Sequence, residues 1–165
     1  MTSMEDKSKR CTLNMRSIFK CMMEDGYYPV FEKTHIQFGI DDNMAVVDYE
    51  EGILSIRLFF SIDEDAFDLF LEASNSTMLN TNLVKPVLLD DMQNLMFSCE
   101  TLCFTVRDFT RFFPVGIRLL KEALMQHKNE MKNLILAEEL MSRTIPATDE
   151  LTSMTGIYKE HKVLS

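Results

Sequence analysis

Apolar residues in the first part of the chain recur at steps of three and four residues, the period of one helix face. This spacing predicts a helix from about residue 7 to residue 24. Gly26 follows as a plausible C-terminal cap, and Pro29 prevents the helix from resuming. The apolar stripe consists of Cys11, Met15, Ile18, Phe19, Met22 and Met23.

The next three segments alternate apolar and polar residues, which is the period of half-buried strands. They span residues 34–40, 44–49 and 53–62, and short turns rich in acidic residues separate them. Loops this short join antiparallel neighbours, so the pattern predicts a three-stranded meander. In the third strand, alternation places Phe59 on the polar side with Ser55 and Arg57. A large aromatic residue on a polar face is a candidate for interaction, unless the last helix or another element covers it.

A second helix is predicted from Asp63, a favourable N-cap residue, to about residue 78. Two further strands are predicted at residues 83–89 and 94–106. Pro86 cannot donate a backbone hydrogen bond, which favours an edge position or a bulge for the first of them.

A long third helix is predicted from Phe109 to about Met141, in which Pro114 should cause a kink or mark the first turn. Residues 143–165 lack a sustained period and are interpreted as a loosely held C-terminal tail. The predicted order α-βββ-α-ββ-α indicates an α+β fold with a single antiparallel five-stranded sheet packed with helices. We expect one domain over residues 7–142.

Net charge is concentrated in the middle of the chain. The 165 residues carry −9 overall, whereas residues 41–91 alone carry twelve acidic and two basic side chains. Such a surface repels phosphate backbones and anionic lipids, so we expect no binding to nucleic acid or membranes. The start of the chain lacks a signal-peptide pattern, and no segment reaches the roughly 20 apolar residues of a membrane span. A soluble, cytoplasmic protein is therefore expected.

Candidate chemistry is sparse. Cys11, Cys21, Cys99 and Cys103 are interpreted as small apolar residues, since their spacing fits no zinc site. The acidic residues at 41–42 and 50–51 fall in successive turns, at opposite ends of a strand about 17–20 Å long, and cannot form one carboxylate pair. No nucleotide-binding or hydrolase signature occurs. We expect no enzyme, no catalytic residue, no metal and no cofactor.

Four segments define this order of elements. They are GYYPVFEKTHIQF after the first helix, ILSIRLFFSID at the end of the meander, FLEASNSTMLNTNL at the end of the second helix, and FSCETLCFTVRDFTRFF before the last helix. These segments, over roughly residues 10–140, resemble the type III secretion chaperone-like fold and in particular the YbjN-like family of bacterial proteins. The resemblance implies a small acidic protein, often dimeric, that binds other polypeptides without catalysing a reaction.

The first hypothesis is thus a chaperone-like or regulatory adaptor that forms a homodimer and binds another protein or peptide. The alternative is an acidic inhibitor or immunity-type protein that neutralises a basic partner through electrostatic attraction. Ordinary core packing competes with partner binding as the explanation of the methionine-rich stripe. The candidate partner-binding residues are Met15, Ile18, Phe19, Met22, Met23 and Phe59.

Overall fold

The computed structural model describes residues 12–143 and, as backbone, residues 158–160. The described helices are α1 (Met15–Glu24), α2 (Phe67–Asn80) and α3 (Val106–Ser142), and a 3-10 turn (Glu64–Ala66) precedes α2. The described strands are β1 (Val30–Glu32), β2 (His35–Ile40), β3 (Asn43–Glu50), β4 (Ile53–Ile62), β5 (Val84–Leu88), β6 (Asn94–Leu102) and β7 (Tyr158–Glu160).

All seven strands belong to one antiparallel sheet. Six of them follow the order β1-β2-β3-β4-β6-β5, and β7 pairs separately with β4. The predicted α+β architecture is confirmed, with six strands along the sheet where the sequence predicted five. The two strands that were missed, β1 and β7, have only three residues each, too few to show an alternating pattern.

The predicted meander is confirmed, because β2, β3 and β4 are sequence neighbours that pair in antiparallel register. Two-residue turns at 41–42 and 51–52 join them. Both residues of each turn have positive φ, as the tight hairpin turns that match strand twist require. Gly52 has a second constraint, since a Cβ there would lie 2.3 Å from a ring carbon of Phe104.

The strand β4 has ten residues and β3 has eight, so the end of β4 extends past its pairing with β3. β7 pairs with this extension at Phe60–Ile62. Part of the predicted tail therefore forms a strand of the sheet. The boundaries predicted at residue 7 and within the tail depend on residues outside the described ranges and stay predictions.

The first helix begins later than predicted. Asn14 is its N-cap and exchanges hydrogen bonds with Ser17, which starts the helix at Met15. Thr12 forms a β-bridge with Thr105. The predicted helical start is therefore wrong for residues 12–14, and residues 7–11, including Cys11, lie outside the described part.

Helix capping also explains why the boundary between β6 and α3 differs from the prediction. Thr105 and Asp108 form a reciprocal capping box, so α3 begins at Val106 and β6 ends at Leu102, four residues before its predicted end. The predicted cap at Asp63 is confirmed, although it caps the 3-10 turn that precedes α2.

Two of the four prolines lie inside described strands or helices. Pro86 lies in the edge strand β5, as predicted. Pro114 is exposed inside α3, well past its first turn.

The core lies between one face of the sheet and the helices. Phe38 of β2 contacts Phe113 of α3, with 5.7 Å between ring centroids, and Tyr27 contacts both rings edge-on. Gly116 lets α3 approach the sheet, since a Cβ there would lie 2.9 Å from Cδ1 of Ile56. Cys99 and Cys103 are buried and unbonded, as predicted, and burial raises the pKa of both thiols to about 11. Among the described residues, no helix is long and apolar enough to cross a membrane.

Candidate functional site

The sheet has a second face, which no helix covers within residues 12–143. Alternation turns Ile36, Phe38 and Ile56 toward the helices, where each is fully buried. The intervening residues of the same strands point the other way and are mostly half-buried. We call this surface the open face. Its central residues are Gln37, Met44, Val46, Asp48, Ser55, Arg57, Phe59, Met96, Ser98 and Glu100.

One part of the open face groups several apolar side chains. Met44, Val46 and Phe59 lie together in a concavity of about 570 Å³. The same concavity is also lined by polar and charged residues: Glu32, Lys33, His35, Gln37 and Arg57. The strand register places Met96 beside Phe59, and Val87 of the edge strand follows next. We call Met44, Val46, Phe59 and Met96 the apolar half.

The neighbouring part of the same face carries negative charge. A smaller concavity of about 240 Å³ lies toward the turn between β3 and β4. It is lined by Ile53 and Ser55 in addition to charged residues. We call its carboxylates the acidic half: Asp48, Glu50, Glu51 and Glu100.

Arg57 borders both concavities. Its guanidinium lies 3.9 Å from a carboxylate oxygen of Asp48 and 3.8 Å from one of Glu100. Ser55 makes the shorter contact, donating its hydroxyl proton to Glu100 at 2.9 Å. Because all three charged side chains remain about a third or more exposed, the ion pairs contribute little to stability. The arrangement positions the carboxylates without neutralising them all.

On the adjacent strand β6, Ser98 is paired with Arg57 on one side and Lys85 on the other. Alternation along β6 turns its side chain to the open face, yet neighbouring side chains leave the residue only 6% exposed. Its hydroxyl oxygen has no hydrogen-bond partner among the described residues.

The structure separates the partner-binding residues expected from the sequence. Phe59 lies half-buried on the open face, and neither α3 nor another described helix covers it. Ile18 and Met22 are 0% exposed and belong to the core, so they present no surface to a partner in the described structure. The apolar stripe of α1 packs these two residues against the sheet, as the alternative of core packing proposed.

The remaining α1 candidates lie at the edge of the molecule. Met15 and Phe19 are half-buried, and the Phe19 ring stacks on Phe31 of β1 with 4.8 Å between centroids. Met23 is about half exposed and Tyr28 almost fully exposed. We call the following residues the edge patch: Phe19, Met23, Tyr28, Val30 and Phe31.

The carboxylates of the turns lie apart, as the sequence indicated. Asp41 and Asp42 form the turn between β2 and β3, while Glu50 and Glu51 lie at the opposite end of β3. Asp41 forms an ion pair with Lys121 of α3 at 3.0 Å. No group of three metal-ligating side chains occurs within the described ranges.

The overall architecture is similar to a solved structure, YbjN, "a putative transcription regulator from E. coli". The two share a TM-score of 0.61 over 69% of this chain and 90% of that chain, with 11% sequence identity. The fold is YbjN-like. No protein-family model and no curated protein matches the sequence.

Within the YbjN-like fold, one further polar pair lies in the core. Oγ of Ser74 on α2 and Nε2 of His127 on α3 are 3.0 Å apart, and the His127 ring contacts Phe70 and Phe97. Burial lowers the pKa of His127 to about 4, although a hydrogen bond to the backbone of Phe70 opposes the shift. The pair is enclosed by packed side chains, so it has no surface at which a substrate could bind.

The sequence did not reveal the Asp48–Arg57–Glu100 cluster. These residues lie far apart along the chain and meet because β3, β4 and β6 are adjacent in the YbjN-like sheet. The alternation that located Arg57 and Phe59 on one face was the available signal. The pairing of β4 with β6, which adds Glu100 and Met96, had no sequence signal of its own.

Proposed function

We propose that this protein is a non-enzymatic protein-binding module, a chaperone-like or regulatory adaptor that acts in the cytoplasm as a small acidic dimer. The observation that carries the proposal is the open face, on which an apolar half adjoins an acidic half. Uncovered apolar surface rimmed by polar residues is typical of sites where proteins bind. A regulator among proteins of similar fold is compatible with this role.

Two observations support a binding role over catalysis. The one Ser–His hydrogen bond among the described residues, Ser74 to His127, is buried in the core. The open face offers carboxylates and an arginine, but its histidine, His35, does not line the acidic concavity and lies beside Glu32 in the other one. The exposed groups suit recognition of a polypeptide better than proton transfer.

The dimer in this proposal is supported by the edge patch. β1 is an outer strand of the sheet, so one side of its backbone has no neighbouring strand among the described residues, and its three side chains are exposed. The stacked rings of Phe19 and Phe31 extend this surface onto α1. Sedimentation equilibrium of the full chain and of Phe31→Asp tests the dimer: a dimer that Phe31→Asp dissociates supports it, and a monomeric wild type contradicts it.

The test of partner binding is a pull-down from the source cells at two salt concentrations, followed by mass spectrometry. The test variant combines Val46→Asp with Phe59→Asp on the apolar half. The matched control combines Leu136→Asp with Leu140→Asp, two exposed apolar residues near the end of α3. Circular dichroism establishes that each variant remains folded.

We expect a stoichiometric partner that binds the wild type and the control, and that is lost with Val46→Asp and Phe59→Asp. A partner retained by that folded variant would contradict the assignment of the open face. Absence of any stoichiometric partner would contradict the adaptor role.

The acidic half favours a second candidate, an inhibitor that neutralises a basic partner. Four carboxylates on one surface attract a basic protein over long range and accelerate its association. Salt separates the two candidates, because screening slows electrostatically steered association. A rate constant that falls steeply with salt favours the inhibitor, whereas one that changes little favours the adaptor.

A further inference from the structure

The two halves of the open face lie along the same strands. Val46 and Asp48 lie two positions apart on β3, and Ser55 and Phe59 lie four positions apart on β4. We propose that the open face binds an extended polypeptide segment in which a large apolar side chain is followed by an arginine two to four residues away. This inference rests on the proposed protein-binding function and specifies the chemistry of the partner.

The spacing follows from strand geometry. Two residues of a strand advance about 6.8 Å, so the step from Val46 to Asp48 equals the distance between side chains i and i+2 of an extended ligand. The step from Phe59 to Ser55 corresponds to i and i+4. A segment lying along β3 and β4 can therefore place an apolar side chain in one concavity and a basic one in the other.

The negative charge of the acidic half favours a ligand with a basic side chain. The acidic half contains four carboxylates, and Arg57 is the one basic residue lining that concavity. The ion pairs of Arg57 are long, at 3.8 and 3.9 Å, whereas the hydrogen bond from Ser55 holds Glu100 in place. Carboxylate oxygens thus remain available for the bidentate contact that a guanidinium makes.

Ser98 is an independent indication of a missing polar contact. Its hydroxyl is buried and has no hydrogen-bond partner among the described residues. The strand partners of Ser98 are Arg57 and Lys85. Buried hydroxyls in proteins are normally hydrogen-bonded, so a lone one requires an explanation. A ligand guanidinium bound beside Glu100, two residues from Ser98 on the same side of β6, would donate the hydrogen bond that is lacking.

The experiment measures fluorescence anisotropy of capped, fluorescein-labelled octapeptides with the full-length protein. The probe TFTRTVTR presents its phenylalanine, valine and arginines on one side of an extended chain. Three peptides serve as comparisons. TFTETVTE reverses the charge, TSTRTSTR removes the apolar residues, and TFRTTVRT has the composition of the probe with phenylalanine and the next arginine on opposite sides.

We expect saturable binding of TFTRTVTR and about tenfold weaker binding of each comparison peptide, the loss expected when one well-placed contact is removed. Asp48→Asn combined with Glu100→Gln should weaken binding of the probe by a similar factor. The control, Glu72→Gln with Glu138→Gln, removes the same charge from exposed positions on α2 and α3 and should leave binding unchanged.

Failure of TFTRTVTR to bind would overturn the proposal, as would equal binding of TFRTTVRT or full affinity in the Asp48→Asn, Glu100→Gln variant. The proposed function is tested separately. If cellular partners are lost with Val46→Asp and Phe59→Asp while TFTRTVTR does not bind, the open face is a binding surface but its ligand has different chemistry.

Discussion

The two faces of the sheet use the same strands for different purposes. On the helix-covered face, Phe38 and Ile56 are completely buried, and their packing stabilises the fold. One residue further along each strand, Gly39 and Arg57 belong to the face that no helix in the described part of the chain covers. Because alternate side chains of a strand point to opposite faces, one set of positions stabilises the fold and the other set is available to bind a partner.

The largest loss of stability should follow the substitution of an aromatic residue that packs against the helix-covered face. Phe113 is 1% exposed and its ring contacts those of Phe38, Tyr27 and Phe109. We expect Phe113→Ala to lower the free energy of unfolding by about 3–5 kcal/mol, because it removes buried area and leaves a cavity. Urea-induced unfolding measures the change. A loss below about 1 kcal/mol would contradict the packing of α3 on the sheet.

The covered face should also make stability depend on pH. The unfolded chain binds a proton at His127 near the ordinary pKa of 6.5, whereas the folded chain binds it only near 4 because burial disfavours the charged ring. The unfolded state therefore binds more protons between these values, and stability falls as the pH falls from 6.5 to 4. The contribution lost is about 3 kcal/mol.

Unfolding of the wild type and of His127→Gln at neutral pH and at the lower end of this range measures the contribution. The difference in stability between the two proteins should shrink or reverse in acid. A constant difference across the range would show that His127 does not titrate as its burial requires.

Truncation of an aromatic residue on the open face should lower the free energy of unfolding much less than Phe113→Ala does. Phe59 is half-buried and borders an open concavity, so Phe59→Ala should lower the free energy of unfolding by about 1 kcal/mol or less. Urea-induced unfolding run beside Phe113→Ala measures the contrast. If the two variants lost similar stability, the open face would have to be covered, and the comparison would fail.

The smallest change in stability should follow Arg57→Gln. Its two ion pairs are long and partly exposed, and such pairs contribute about 0–1 kcal/mol, so stability should hardly change. Thermal unfolding at low and high salt measures this. A large loss that salt abolishes would mean that the charges of the open face stabilise the fold.

The regular elements of the covered face could be predicted from the sequence. The meander followed from the alternation of Ile36, Phe38 and Ile40 and from the short turns between the strands, since local pattern and tertiary pairing agree there. Errors occurred where a few polar contacts decide. The cap at Asn14 moved the start of α1, and the capping box at Thr105 shortened β6.

The candidate site was predictable only in part. Phe59 was found because an aromatic residue broke the polar side of a strand. Ile18 and Met22 were assigned to a partner although they pack in the core, because an amphipathic stripe does not reveal what covers it. Glu100 joins the site through pairing between distant strands, which local periodicity does not determine.

The central position of β4 also has a consequence for the order in which the molecule assembles. On one side β4 pairs with β3 through a two-residue turn, and hairpins of this kind form in about 1–10 μs. On its other side it pairs with β6, which requires closure of the intervening segment that contains α2 and β5. We therefore expect Val47→Ala in β3 to slow folding and Phe97→Ala in β6 to accelerate unfolding, as stopped-flow kinetics would measure; the reverse pattern would place the late step in the meander.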